Sequence, residues 1–181
     1  MVRGYICEMK ILMVCLGNIC RSPLAEGILQ HKATQAGLNW IVESAGTGSW
    51  HIGEPPHTLS QKIAKLNGVD ISKQRCRQFI KKDLLEYDMI YVMDENNYDD
   101  VREISAELWD ENKVDMLLNA SFPGENRNVP DPWYGKEKNY HEVFELLNDA
   151  CDVIIKNYLE EIKSNKKQAT SPEGFLRNNQ K

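Results

Sequence analysis

Cys15 and Arg21 bracket a short loop, Val14-Cys15-Leu16-Gly17-Asn18-Ile19-Cys20-Arg21-Ser22-Pro23, in the pattern C-x5-R-S. A sulfur nucleophile at one end and a guanidinium at the other suit phosphoryl transfer to sulfur. The planar fork of Arg21 can grip two phosphoryl oxygens at once, which a lysine could not do. Beside loop amides, Arg21 and a helix N-terminus, the Cys15 thiolate is stabilised and is expected near neutral pH. Gly17 is expected where the chain turns tightly or comes close to an anion. Asn18 tolerates left-handed backbone and can bond back to the loop, and the Ser22 hydroxyl can cap the helix and donate to Cys15. Cys20 lies in the same loop. Its thiol is a candidate redox partner that captures an oxidised Cys15 as a reversible disulfide.

A thiolate attacking a phosphate ester also needs an acid for the leaving oxygen. The sequence offers Asp131 far along the chain, between Pro130 and Pro132, with Trp133 and Tyr134 directly after it. The two prolines stiffen its backbone, and the two rings can flank a flat substrate. A third aromatic, Trp50, sits on the glycine-rich stretch Gly46 to Gly53 and is a candidate wall of the same pocket. His31, His51, His57 and His141 make no metal-ligand spacing with the cysteines.

These residues need elements to hold them. The apolar run Ile11 to Val14 reads as a buried strand of a parallel sheet. Helical spacing follows from Leu24 to Ala36, with Ser22 placed as N-cap and Pro23 at the first helical position. The loop between them aims amides and a helix dipole at one spot, an anion site. Further strands are expected over 40–45, 89–93 and 114–118. Further helices are expected from Leu59 to Leu66 before Gly68, at Leu84-Leu85, after a cap at Asp94, and from Tyr140 to Ile162. Strands alternating with helices and no dividing linker predict one doubly wound α/β domain, a four-stranded parallel sheet with helices on both faces. Ligands in such sheets bind at the carboxyl ends of strands, where Cys15 falls. The long stretch from Asn119 to Asn139 is expected to be an ordered, functional loop.

The expected divisions are an N-terminal extension over 1–8, a catalytic domain over 9–163 and a basic, disordered tail over 164–181 carrying Lys166, Lys167, Arg177 and Lys181. A net charge of −5 gives no general case for nucleic-acid binding. No apolar run approaches the ~20 residues that span a membrane. An odd number of scattered cysteines, Cys7, Cys15, Cys20, Cys76 and Cys151, is no disulfide framework and points to a reducing cytoplasm.

The loop V-C-L-G-N-I-C-R-S-P-L-A-E resembles the signature of the low-molecular-weight protein tyrosine phosphatases, and D-P-W-Y-G resembles their acid loop. The likeness spans roughly Lys10 to Ile162. It includes Glu43-Ser44-Ala45-Gly46, Gly68 to Ser72, Arg77-Gln78 and Met93-Asp94-Glu95. The resemblance implies hydrolysis of phosphotyrosine and small aryl phosphates through a cysteinyl-phosphate, without metal or cofactor. By similarity Cys15 is the nucleophile. Arg21 and the backbone of Leu16, Gly17, Asn18, Ile19, Cys20 and Arg21 hold the phosphoryl oxygens. Asn18 and Ser22 shape the loop, and Asp131 is acid and then base. Leu16, Ile19, Trp50, Trp133 and Tyr134 line the ring slot. The implied partner is a phosphotyrosine protein; a bacterial-type tyrosine kinase and a host target of a secreted effector both suit. Arsenate reductase shares this loop and fold, but its relay uses a close thiol pair, and Cys76 and Cys151 are isolated. A phosphate-binding module without turnover is the other alternative; the acid at Asp131 argues against it.

Overall fold

The computed structural model describes residues 8–169. Four strands, β1 (Met9–Cys15), β2 (Trp40–Gly46), β3 (Met89–Val92) and β4 (Val114–Met116), pair in parallel in the order β2-β1-β3-β4. Five helices connect and cover them: α1 (Arg21–Gln35), α2 (Thr58–Leu66), α3 (Asp83–Glu86), α4 (Glu95–Ser105) and α5 (Glu137–Ala169). Side chains of β1 alternate between two cores, as the two-residue period of a strand requires. Ile11 and Met13 face one core with Leu24 and Ile28 of α1 and Tyr140 and Leu147 of α5. Leu12 and Val14 face the other with Phe79, Leu84 of α3 and Val101 of α4. Both faces of the sheet are therefore covered, which is why the β1 run is apolar throughout rather than alternating.

Several boundaries differ from the sequence expectation. Helix α1 starts at Arg21 with Cys20 as its cap residue and no side-chain capping bond, so Ser22 is not the N-cap. Pro23 then occupies the third helical position, where its missing N–H removes no intrahelical bond. Strand β4 ends at Met116, and Leu117 and Leu118 enter a 3-10 turn, Leu117–Ala120, while staying buried. An apolar run reports burial, and burial is shared by strand and turn here. Helix α5 continues beyond Ser164 to Ala169, where the apolar spacing has ended but good helix formers remain. The rest of the expected tail, 170–181, and residues 1–7 of the expected extension lie outside the described residues.

The carboxyl ends of the strands are stitched together. Cys15 pairs with Gly46. Beyond it, the Thr47 N–H donates to the Cys15 carbonyl and the Gly48 N–H to the Leu16 carbonyl, both at 2.9 Å. The 77–79 segment extends the pairing: the Gly46 N–H donates to the Arg77 carbonyl and the Phe79 N–H to the Gly46 carbonyl. The Val129 N–H donates to the Met93 carbonyl at 2.7 Å, which draws the long loop back over the end of β3.

Candidate active site

The loop after β1 wraps the Cys15 sulfur. The Asn18 N–H donates to Sγ at 3.2 Å, and the Ser22 hydroxyl lies 3.0 Å from it. Asn18 holds this curl with a left-handed φ of 52° and three bonds. Its Nδ2 donates to Ser22 Oγ at 2.9 Å and to Ser44 Oγ at 2.8 Å, while its Oδ1 accepts from the Arg77 N–H at 2.9 Å. The left-handed residue is thus Asn18, and Gly17 is not the turn-former expected of it. A Cβ on Gly17 would meet His51 Cδ2 at 3.4 Å and Ile19 Cγ1 at 3.6 Å, both ordinary contacts. The glycine the loop requires is Gly46 on β2, where a Cβ would stand 2.8 Å from the Leu16 carbonyl and 3.0 Å from the Asn18 nitrogen.

Arg21, on the first turn of α1, is buried and held from three sides. Its Nη1 donates to Asp94 Oδ2 and to the Val129 carbonyl, and its Nη2 donates to Asp131 Oδ2 at 3.0 Å. Asp94 also caps α4 by accepting from the Asn97 N–H at 2.8 Å. The sequence assigns Asp94 a cap role and a place in the family likeness at Met93-Asp94-Glu95, but no contact with Arg21; its place directly after β3, on the same rim as Cys15, was the available signal for that contact. Asp131 reaches the site two residues past Val129, and its Oδ1 accepts from the Trp133 N–H at 3.0 Å. The two groups farthest apart in the chain, Cys15 and Asp131, therefore face one cavity.

That cavity encloses about 180 Å³ and is lined by Cys15, Leu16, Gly17, Ile19, Cys20, Arg21, Trp50, His51, Asp131, Trp133 and Tyr134. Dry cavities of about 150 Å³ accept benzene, so a single aryl ring fits this volume. Every ring-slot candidate named from the sequence lines it, though unequally. Trp133 packs between His51 and His57, with ring centroids at 5.7 and 5.5 Å, and His57 stacks on Tyr140 at 5.3 Å. Trp50 is 69% exposed and Tyr134 97% exposed, so these two form the lip rather than the wall. His51, His57 and Tyr140 carried no sequence signal, because single histidines and one helical tyrosine look alike in a core and at a site. Cys20 Sγ sits 3.5 Å from the Tyr140 hydroxyl, and burial pushes its thiol up to about 11. Cys76, unexplained by sequence, packs its sulfur 3.1 Å from the Gly17 carbonyl. A larger depression, about 640 Å³, lies between β4 and α4 around Tyr98 and Asn126 and brings no nucleophile, cation and acid together.

A profile described as low molecular weight phosphotyrosine protein phosphatase matches residues 10–168. The low molecular weight protein-tyrosine-phosphatase YfkJ of Bacillus subtilis is 36% identical over 148 residues, 81% of this chain and 93% of that one. A putative low molecular weight protein-tyrosine-phosphatase of Synechocystis is 39% identical over 149 residues, 81% of this chain and 94% of its own length. The crystal structure of YfkJ superposes with a TM-score of 0.79 over 88% of this chain and 98% of that one, at 35% identity. A protein tyrosine phosphatase from Entamoeba histolytica, with Hepes in its active site, gives 0.77 over 86% and 99%, at 36% identity. These likenesses favour a phosphatase acting on phosphoproteins over an arsenate reductase. With the match running from β1 through α5, the chain belongs to the low molecular weight phosphotyrosine protein phosphatase family and is a protein-tyrosine phosphatase.

Proposed function

We propose that Cys15, Arg21 and Asp131 carry the hydrolysis of phosphotyrosine in this chain. The carrying observation is their convergence on one ring-sized cavity. Cys15 Sγ attacks phosphorus in line, forming the S–P bond as the P–O bond to the aryl group breaks. Asp131 gives its proton to the departing aryl oxygen. The three equatorial oxygens lie against the loop amides of Leu16 to Arg21 and the Arg21 fork, where charge is stabilised without reorganisation. Asp94 and the Val129 carbonyl fix the plane of that fork through Nη1. In the second step Asp131 takes a proton from water, the water oxygen bonds to phosphorus, the S–P bond breaks, and phosphate leaves with Cys15 restored as thiolate. Ser22 and the Asn18 amide are placed to donate to the negative sulfur.

Trp133 and Ile19 form the walls of the ring slot and Leu16, Trp50 and Tyr134 its lip, an arrangement that selects aryl over alkyl phosphates. The proposed setting is the cytoplasm, since the reaction needs Cys15 reduced. The proposed partner is an autophosphorylated tyrosine kinase of bacterial type, supported by the bacterial origin of the relatives from Bacillus and Synechocystis. The acidic balance of the chain argues against a nucleic-acid or anionic membrane partner.

The test is turnover of para-nitrophenyl phosphate and a phosphotyrosine peptide by wild type and Cys15→Ser, with and without chelator. Wild type should turn over both, indifferent to chelator. The serine variant should be silent yet bind vanadate. Substantial activity in the serine variant would remove Cys15 from its role.

A further inference from the structure

One partly buried acid on α1 takes no part in that reaction, yet it is wired to the nucleophile. Glu26 Oε2 accepts from the Ser44 hydroxyl at 2.6 Å. Ser44 Oγ accepts from Asn18 Nδ2 at 2.8 Å, and the same amide nitrogen donates to Ser22 Oγ at 2.9 Å. Ser22 Oγ lies 3.0 Å from Cys15 Sγ. All the linking groups, Asn18, Ser22 and Ser44, are buried, at 7% exposure or less.

Hydrogen counting gives this chain a direction. The orientation of the Asn18 amide is set by its Oδ1, which accepts from the Arg77 N–H. Both hydrogens of Nδ2 are then committed, one to Ser44 and one to Ser22. Ser44 must accept from Asn18, so its own hydrogen goes to Glu26. Ser22 must accept from Asn18, so its own hydrogen is free for Cys15; its other acceptor, the Ala45 carbonyl, is farther at 3.4 Å. An ionised Glu26 takes the Ser44 hydrogen, which keeps Ser44 an acceptor for Asn18 and gives a second anchor to the amide that makes Ser22 donate to the sulfur. A proton on Glu26 removes the charged acceptor from Ser44 and releases the far end of the relay.

Glu26 has the surroundings to take up that proton. Burial raises its carboxyl to about 7, against the Ser44 bond; Glu43 on β2 raises it further, while Gln74 and Arg77, on the segment after α2, lower it. Gln74 contacts Glu26 and carries a buried Oε1 that has no donor among the described residues, so it can accept from a protonated carboxyl.

We propose that Glu26 is a positioning residue for Cys15, acting through Ser44, Asn18 and Ser22, and that it releases the relay when its carboxylate is protonated. The proposal rests on Cys15 being the nucleophile. It makes the thiolate most reactive when Glu26 is charged, so the Glu26 limb of activity rises with pH.

The experiment compares wild type, Glu26→Gln and Glu26→Leu. It follows kcat for para-nitrophenyl phosphate and the rate of Cys15 alkylation by iodoacetamide, read on the Cys15 peptide by mass spectrometry, across neutral pH. Wild type should show a step near pH 7 in both rates. Glu26→Gln keeps an acceptor for Ser44 without a proton to lose. It should abolish the step and hold kcat within about threefold of wild type above it. Glu26→Leu removes the acceptor. It should lower kcat and the alkylation rate by about 5–10-fold, with phosphate inhibition changed less than about twofold. A step that survives in Glu26→Gln, or a leucine variant with wild-type rates, overturns the proposal. Either result alongside a silent Cys15→Ser leaves the nucleophile in place and removes only the relay. Turnover by Cys15→Ser would instead remove the nucleophile itself.

Discussion

Asp131 is tied to Arg21 at 3.0 Å and half exposed, so it stands between the cavity and solvent. If it protonates the leaving oxygen, its importance depends on how badly that oxygen needs a proton. Asp131→Asn should lower kcat by roughly 10²–10⁴-fold for phosphotyrosine and other poor leaving groups. The deficit should shrink for strongly acidic phenols. A deficit equal across a series of leaving groups would assign Asp131 to holding Arg21 instead. Cys20 lines the same cavity, but burial leaves it protonated at neutral pH. As a redox partner of Cys15 it should therefore attack a sulfenic acid slowly, since the thiolate is the attacking form. After mild peroxide and then dithiothreitol, wild type should regain activity, with a Cys15–Cys20 link found by mass spectrometry before reduction. Cys20→Ala should recover poorly. Equal recovery in the two proteins would show that Cys20 does not protect.

At the scale of elements, the site is a product of three strand ends and what each loop can do beyond them. β1 supplies the sulfur, β2 a glycine that lets the sulfur loop lie against it, and β3 the cap that anchors Arg21. The loop after β2 then folds back so that the Trp50 ring lies on Gly48, where a Cβ would stand within 1.8–2.7 Å of three indole atoms. Gly48 has no left-handed φ, so alanine there strains no backbone. Its methyl would still push the ring off its seat. Gly48→Ala should leave the melting temperature nearly unchanged, because Trp50 is mostly exposed. It should raise KM for aryl phosphates about 2–5-fold while inhibition by inorganic phosphate stays put. Unchanged KM would mean Trp50 is not part of the ring slot. Gly46→Ala, by contrast, presses on backbone that cannot retreat, and the loss there is expected in both activity and stability.

For the whole molecule, the relay at Glu26 carries a cost in stability. The folded carboxyl keeps its proton up to about 7, while the unfolded chain gives it up near the ordinary 4.5. Between those values the folded state binds more protons, so stability falls as pH rises, by roughly 2–4 kcal/mol in total. Below the unfolded value the penalty is absent, and above the folded value it is complete. Glu26→Gln should therefore melt about 5–10 °C above wild type at pH ~8 and gain little at pH ~4. A melting difference that is the same at both pH values would show that Glu26 is not a buried acid of this kind. The trade is the one seen where a binding site needs a charge that the core disfavours.

Much of this protein was legible in the residues alone, because its signals are local. A buried strand, a glycine-asparagine turn and a helix start occupy one short stretch, and their chemistry depends on neighbours in sequence. The alternation of strand and helix, with an apolar β1, dictates a parallel sheet covered on both faces, since only that arrangement buries such a run. Asp131 was readable as a candidate acid from its prolines and rings, yet its reach to Arg21 depends on Val129 pairing beside β3, which no local pattern states. The same holds for Ser22. Its cap chemistry is real in isolation, but the helix begins two residues earlier than expected, at Arg21, and the hydroxyl turns to Cys15 and Asn18. Asp94, His57 and Gly46 act across gaps of tens of residues, so their roles exist only once the strand ends are side by side. Glu26 is the clearest case. In sequence it is an ordinary acid on a helix, and it becomes an unusual one through the burial that α1 and β2 impose on it together.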